Sequence, residues 1–212
     1  MKNSQHLGFW LLLAFLGFFV GPLLRSGPSM ETYLQAEIEE TRSAMGDRVG
    51  GLVVLFADGI FNQTPIAAAV SGITKVKHTR EEQRLSARVA GPGGEILSKM
   101  YNSYLQGLIM QSYVGAMRLA IVLFWLAALA PLFIATVYDG LMQRSVKQAE
   151  FGSLRPATFT LAGMLVIPIL SLPALYLTLP FSLSPLLAPA WAAVVALPLS
   201  VLVSNSQPLF GR

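Results

Sequence analysis

Few residues in this 212-residue chain have the types and spacing that bond-making chemistry needs. Zinc hydrolysis calls for His-Glu-x-x-His or a similar cluster. The two histidines, His6 and His78, are far apart in sequence and fall on opposite sides of the membrane in the topology argued below. Cysteine is absent, which excludes disulfides, thiolate metal sites and thioether-linked haem. Gly91-Pro92-Gly93-Gly94-Glu95-Ile96-Leu97-Ser98-Lys99 is rich in glycine but lacks phosphate-loop spacing, and Glu95 stands where a phosphate would approach. Tyr138-Asp139 resembles half of an intramembrane aspartyl protease site. Sharing a proton requires a second carboxylate nearby, and beyond Asp139 only Glu150 remains. No Gly-x-Ser-x-Gly elbow occurs. The expectation is a protein that is not an enzyme and holds neither metal nor cofactor.

Composition gives the reason for this shortage. Apolar residues make up 54% of the chain and charged ones 12%, with a net charge of +4. Soluble domains carry about 25% charge, so roughly half the usual complement is missing. An integral membrane protein follows, of all-α class. Crossing a hydrocarbon core takes about 18–20 apolar residues. Four segments qualify: Leu7–Leu24, Leu119–Tyr138, Phe159–Leu179 and Leu186–Val203. The first is read as an uncleaved anchor, since its apolar run exceeds that of a signal peptide and Arg25-Ser26-Gly27-Pro28 is a poor cleavage site. Pro168 and Pro173 interrupt the third segment, and Pro189 and Pro198 the fourth. A re-entrant hairpin is therefore the competing picture for the last two.

Basic residues in short connections set orientation. The connection Asp139–Thr158 holds Arg144, Lys147 and Arg155, whereas Pro180–Pro185 holds none. This places 139–158 and both termini in the cytoplasm, and the region between the first two spans outside it. Three domains result: an anchor over 1–25, a helical extracytoplasmic region over 26–116 and a three-segment membrane domain over 117–212. With three cations and two acids, the 139–158 loop is too weakly basic for nucleic acid to be a direct partner.

The outer region reads as helical. Met30, Leu34, Ile38, Thr41 and Met45 form one apolar row, with Glu37, Glu39, Glu40 and Arg42 opposite and Ser29 as N-cap. Val49, Leu52, Val53, Phe56 and Ile60 form a second row, weakened by Gly50-Gly51; a short strand over Leu52–Phe56 is the alternative. Thr79–Ala90 is a solvated helix or a loop. From Glu95 to Met142 one long helix is expected, with Ile96, Met100, Tyr104 and Leu108 as its outer row. Arg118 and Asp139, about 31 Å apart along such a helix, then mark the two membrane surfaces.

Small residues supply the packing signals. Gly17-x-x-x-Gly21 permits close helix approach, and Ala188, Ala192, Ala196, Ser200 and Ser204 repeat every fourth residue. These serve packing among the helices or an interface with another chain.

Arg118-Leu119-Ala120-Ile121, Pro131-Leu132-Phe133, Asp139-Gly140-Leu141 and Arg144, followed by two proline-rich apolar segments, resemble the integrating-conjugative-element inner-membrane family, which is a domain of unknown function. The chain departs from that family at Gly152–Thr158, where Gly152-Ser153-Leu154-Arg155-Pro156 replaces a more basic stretch. The resemblance covers about 110–212 and implies a place among conjugative transfer genes, near the coupling ATPase of a type IV secretion channel. It brings no catalytic residue. The expected role is a scaffold or regulator in the bacterial inner membrane, in contact with lipids and other conjugation proteins, the coupling ATPase among them, with homo-oligomers as a further option. Asp139, Gly140, Arg144, Lys147 and Arg155 would form the partner or lipid contact. The alternative is a small transporter or channel subunit built on the proline-broken segments.

Overall fold

The computed structural model describes residues 3–25, 27–63, 65, 68–70, 72, 79–90, 92–149 and 156–206. Among these, regular structure is helical throughout. In chain order the helices are α1 (Asn3–Leu24), α2 (Gly27–Met45), α3 (Asp47–Gln63), α4 (Arg80–Ala90), α5 (Pro92–Ala128), α6 (Ala130–Ala149), α7 (Pro156–Thr178) and α8 (Leu187–Ser204). Three helices are long and apolar enough to cross a membrane: Ile96–Ala128, Thr158–Thr178 and Leu187–Ser204. The apolar part of α1, Gly8–Leu24, is shorter. His78 and Arg155 lie outside the described residues.

Local chemistry explains several helix ends. Gly46 adopts a φ of 81°, a left-handed geometry that ends α2, and its carbonyl accepts from the Gly50 amide at 2.8 Å as α3 begins. Helix α4 opens with a capping box: the Glu82 amide donates to Thr79 Oγ1, and Glu82 Oε2 accepts from the Thr79 amide. Pro92 and Pro156 stand first in α5 and α7, where no amide donor is needed.

Several sequence expectations are corrected. The long helix over Glu95–Met142 is two helices, because Pro131 has no N–H and the chain turns at Leu129, whose carbonyl receives the Leu132 and Phe133 amides. The apolar helix thus begins near Ile96 and ends at Ala128, not over Leu119–Tyr138, and it contains Lys99 and Arg118. The loop expected from Asp139 is helical to Ala149. Nothing between Pro131 and Ala149 breaks a helix except Gly140, and Ser145 returns its hydroxyl to the Leu141 carbonyl within the turn. Ser29 lies inside α2 and not at its cap. The α3 segment is a helix, so no strand forms over Leu52–Phe56.

The buried faces also differ. On α2 the buried row is Met30, Tyr33, Glu37 and Thr41, so Glu37 points inward. On α3 Gly50, Val53 and Ala57 are buried, while Leu52 and Phe56 are exposed. On α5 Ile96 and Met100 are exposed, and Gln111, Val114, Arg118 and Ile121 are buried.

The chain divides into two compact units. One comprises 13–121 and 175–185, with Met30, Tyr33 and Val114 at its core and Leu34 and Met110 against them. The other comprises 1–12, 122–174 and 186–212, in which α6 and α8 pack closely.

Candidate functional site

The most developed polar constellation lies within the first unit and centres on Arg118. A row of inward residues on α5, Gln111–Val114–Arg118, meets the row Met30–Tyr33–Glu37 of α2. The Arg118 side chain is 0% exposed and that of Glu37 2%. Arg118 Nε donates to Glu37 Oε1 at 2.7 Å. Its Nη1 donates to the carbonyls of Tyr176 at 2.7 Å and Leu179 at 2.8 Å. Nη2 donates to Tyr33 Oη at 2.8 Å and to the Phe181 carbonyl at 2.6 Å. The Tyr33 hydroxyl donates onward to that same carbonyl at 3.3 Å. A guanidinium has five N–H donors, and all five are engaged. The Tyr176 ring lies beneath the charge, 5.2 Å from Cζ.

A buried cation is tolerable only when paired and fully hydrogen-bonded. Glu37 supplies the opposite charge. The carbonyls at the end of α7 and in the following connection supply the negative end of a helix dipole. Burial pushes the Glu37 carboxyl up, opposed by the hydrogen bond and charge of Arg118 and by the Leu183 amide. Burial also pushes Tyr33 up to about 12, against the Arg118 charge, so it stays a neutral donor.

Close backbone contacts complete the grip on this connection. Gln111 Nε2 donates to the Thr178 carbonyl at 2.9 Å. A Cβ added at Gly17 would lie 3.6 Å from Thr178, and one at Gly21 would lie 2.7 Å from Pro180 Cβ. Gly17 therefore faces the last residue of α7, and Gly21 the connection after it.

Arg118 was expected at a membrane surface, as the anchor of a helix end. Its side chain is fully enclosed by protein, which is tolerable because a charge with five satisfied donors no longer needs water. Sequence reading also missed Tyr33, Glu37 and Gln111. Their signal was present: each falls at a three- or four-residue step on an otherwise apolar row.

The second unit contains most of the residues assigned to the partner or lipid contact. Asp139 Oδ2 accepts from Ser200 Oγ and from Gln143 Nε2, each at 2.8 Å. Gly140 is buried, and an added Cβ would lie 2.8 Å from both the Ser200 carbonyl and Val203 Cβ. Arg144 donates to Ser206 Oγ at 3.4 Å, and Lys147 to Asn205 Oδ1 at 3.2 Å and Ser204 Oγ at 3.4 Å. Two cations of α6 thus sit at the C-terminal end of α8, where the helix dipole favours them. Ala188, Ala192, Ala196 and Ser204 are buried, and Ser200 is half-buried.

Pro173 and Pro189 leave no carbonyl of these helices open. Pro173 leaves the Ile169 carbonyl without its i+4 donor, and Trp191 Nε1 of α8 fills that role at 2.6 Å. Pro189 falls in the first turn of α8, where amides have no helical partner. The carbonyl released at Pro173 is therefore not presented to a permeant solute. Among the described residues, no group of three or more His, Cys, Asp or Glu could hold a metal ion.

No curated protein and no solved structure matches the chain. A protein-family model does, over residues 30–210, with the description IncC plasmid conjugative DNA transfer protein DtrJ-like. That span includes Tyr33, Glu37, Arg118 and the whole connection after α7, together with Asp139, Arg144 and Lys147. The chain belongs to the DtrJ-like family of conjugative DNA transfer proteins.

Proposed function

We propose that the chain is a non-enzymatic inner-membrane component of the conjugative apparatus, linked to type IV secretion, which scaffolds or regulates partner proteins such as the coupling ATPase. The observation that carries this reading is the complete use of Arg118. A charge that could serve binding or catalysis is spent on joining α2, α5 and the connection after α7, as in a part whose shape is its product. Family membership supplies the process.

In this reading the four membrane segments lie in α1, in α5 from Arg118 onward with the start of α6, in α7 and in α8. Both termini lie in the cytoplasm, and α2–α4 lie on the outer side. The far end of α6, with Arg144 and Lys147, together with Arg155, faces partner proteins or anionic headgroups on the cytoplasmic side. Nucleic acid is handled by the partners.

Deletion of the gene with measurement of mating frequency tests the reading, with complementation by the wild-type chain and by an Arg144→Glu/Lys147→Glu variant. Loss of transfer, restored by the wild type and not by the variant at equal membrane abundance, is the expected result. Unchanged transfer after deletion would overturn the proposal. Purification in mild detergent should bring down other conjugation membrane proteins.

A further inference from the structure

Every donor of Arg118 is spent, whereas the two cations of the second unit are not. Arg144 and Lys147 stand three residues apart on α6, so both side chains rise from one face of the helix, with about 5–6 Å between their Cβ atoms. Arg144 uses Nη1 for a 3.4 Å contact with Ser206 Oγ. Lys147 reaches Ser204 Oγ at 3.4 Å and Asn205 Oδ1 at 3.2 Å. All three acceptors are neutral, and these contacts are long for cations, which approach an anion to about 2.7–2.9 Å. Among the described residues neither cation meets a carboxylate. Asp139 is the one acid within α6, and its Oδ2 is taken by Ser200 and Gln143.

The neutral acceptors are themselves held in place. Ser204 and Asn205 are buried, at 2% and 4% exposure. Asn205 Nδ2 donates to the Val201 carbonyl and to Ser204 Oγ. Ser204 and Ser206 return their hydroxyls to the carbonyls of Val201 and Val203. The end of α8 thus fixes where the two charged heads stand without neutralising them. Both cations are half-buried, and most of the Arg144 fork is left with nothing to donate to among the described residues.

We infer that Arg144 and Lys147 form a binding site for one phosphate group, carried by a phospholipid headgroup or by a free phosphate ester. A tetrahedral phosphate has oxygens enough for the Arg144 fork on one edge and for the Lys147 ammonium on another. A carboxylate held by the same fork spends both of its oxygens there. Two cations suit a single phosphate, whereas a nucleic-acid duplex would call for a row of them. The ligand so named belongs to the contact that the preceding subsection places on α6, and its lipid source rests on that reading.

The full-length protein in mild detergent is titrated with inorganic phosphate or with soluble short-chain phosphatidylglycerol at constant ionic strength, and the thermal unfolding midpoint is followed. Phosphate should raise the midpoint, and acetate should not. Arg144→Gln and Lys147→Gln should each weaken the apparent Kd by about tenfold or more, the effect of losing a charge-assisted hydrogen bond. Arg48→Gln, at an exposed cation of α3, should leave it unchanged. Arg144→Lys keeps the charge without the fork and should fall between, which carries the test if the Gln variants fold poorly. Phosphatidylglycerol that competes with phosphate identifies a headgroup as the source, and phosphate that it cannot displace identifies a free ester. No shift from either probe, or a shift that the variants leave intact, would overturn the inference. An equal effect of acetate would overturn it in favour of a carboxylate from a partner protein, and stabilisation by duplex DNA alone in favour of a nucleic-acid face. The mating test stands apart: transfer unchanged by gene deletion, with phosphate still bound, would remove the scaffold reading and keep the site.

Discussion

Arg118 and Glu37, 81 positions apart in the chain, meet through a 2.7 Å hydrogen bond with neither side chain open to water. The pair fixes α2 against α5; of the remaining four donors of the same guanidinium, one goes to Tyr33 of α2 and three reach the end of α7 and the connection after it. One side chain thus joins three stretches of sequence.

Removing either partner strands a buried charge, so Arg118→Ala and Glu37→Ala should each destabilise the protein by about 3–5 kcal/mol. The double variant Glu37→Leu/Arg118→Met should lose less than the sum, since no uncompensated charge remains. Thermal unfolding in detergent reads both effects. Additive losses would show that the two side chains do not act as a pair.

Trp191→Phe should cost up to about 1.7 kcal/mol, the upper range for a hydrogen bond between membrane helices. The partner test is Pro173→Ala, which returns a backbone donor to the Ile169 carbonyl. In that background the Trp191→Phe penalty should shrink toward zero, and a double-mutant cycle measures the difference.

Adjacent glycines of α3 should respond in opposite directions. A methyl group at Gly50 would lie 2.7 Å from the Arg42 Cα, whereas at Gly51 it would meet nothing within 4 Å. Gly50→Ala is therefore expected to destabilise by about 1–3 kcal/mol through overpacking. Gly51→Ala should stabilise by about 0.4–1 kcal/mol through reduced freedom of the unfolded chain. Urea midpoints of the two variants, compared with the parent, separate the cases.

Alkaline pH should loosen the Arg118 cluster. Tyr33 is raised from 10.0 to about 12, so the folded chain holds this proton more tightly than the unfolded one. Stability from this group is complete below pH 10 and is lost as pH rises through about 12. The difference between wild type and Tyr33→Phe, measured as unfolding free energy against pH, should show that decline and should be flat below it.

How much was legible before any coordinates can be judged residue by residue. The helical class and the last two apolar segments were legible, and the glycine turn at the end of α2, though not foreseen, follows from local chemistry as well, because hydropathy, φ preference and capping act over a few residues. The capping box of α4 is likewise local, since Thr79 and Glu82 are three apart. The inward position of Glu37 was less accessible: an acid on an apolar row reads as outward until a buried cation is known to face it. That partner lies 81 residues away, and one sequence holds no rule that pairs the two.

By itself, then, the sequence determined a chain that is oil-like along several helices, free of cysteine and poor in ionisable groups, because composition fixes how much surface water will accept. Tertiary structure decided what its few charges do. Arg118 is enclosed within the protein because five donors could be met at one point. Arg144 and Lys147 settled at the end of α8, and Trp191 took up the carbonyl that Pro173 released. Each outcome depends on atoms from distant segments arriving within 3.5 Å of one another. Such meetings are fixed only when the whole chain packs, since hydrogen bonds and ion pairs are short-ranged and directional.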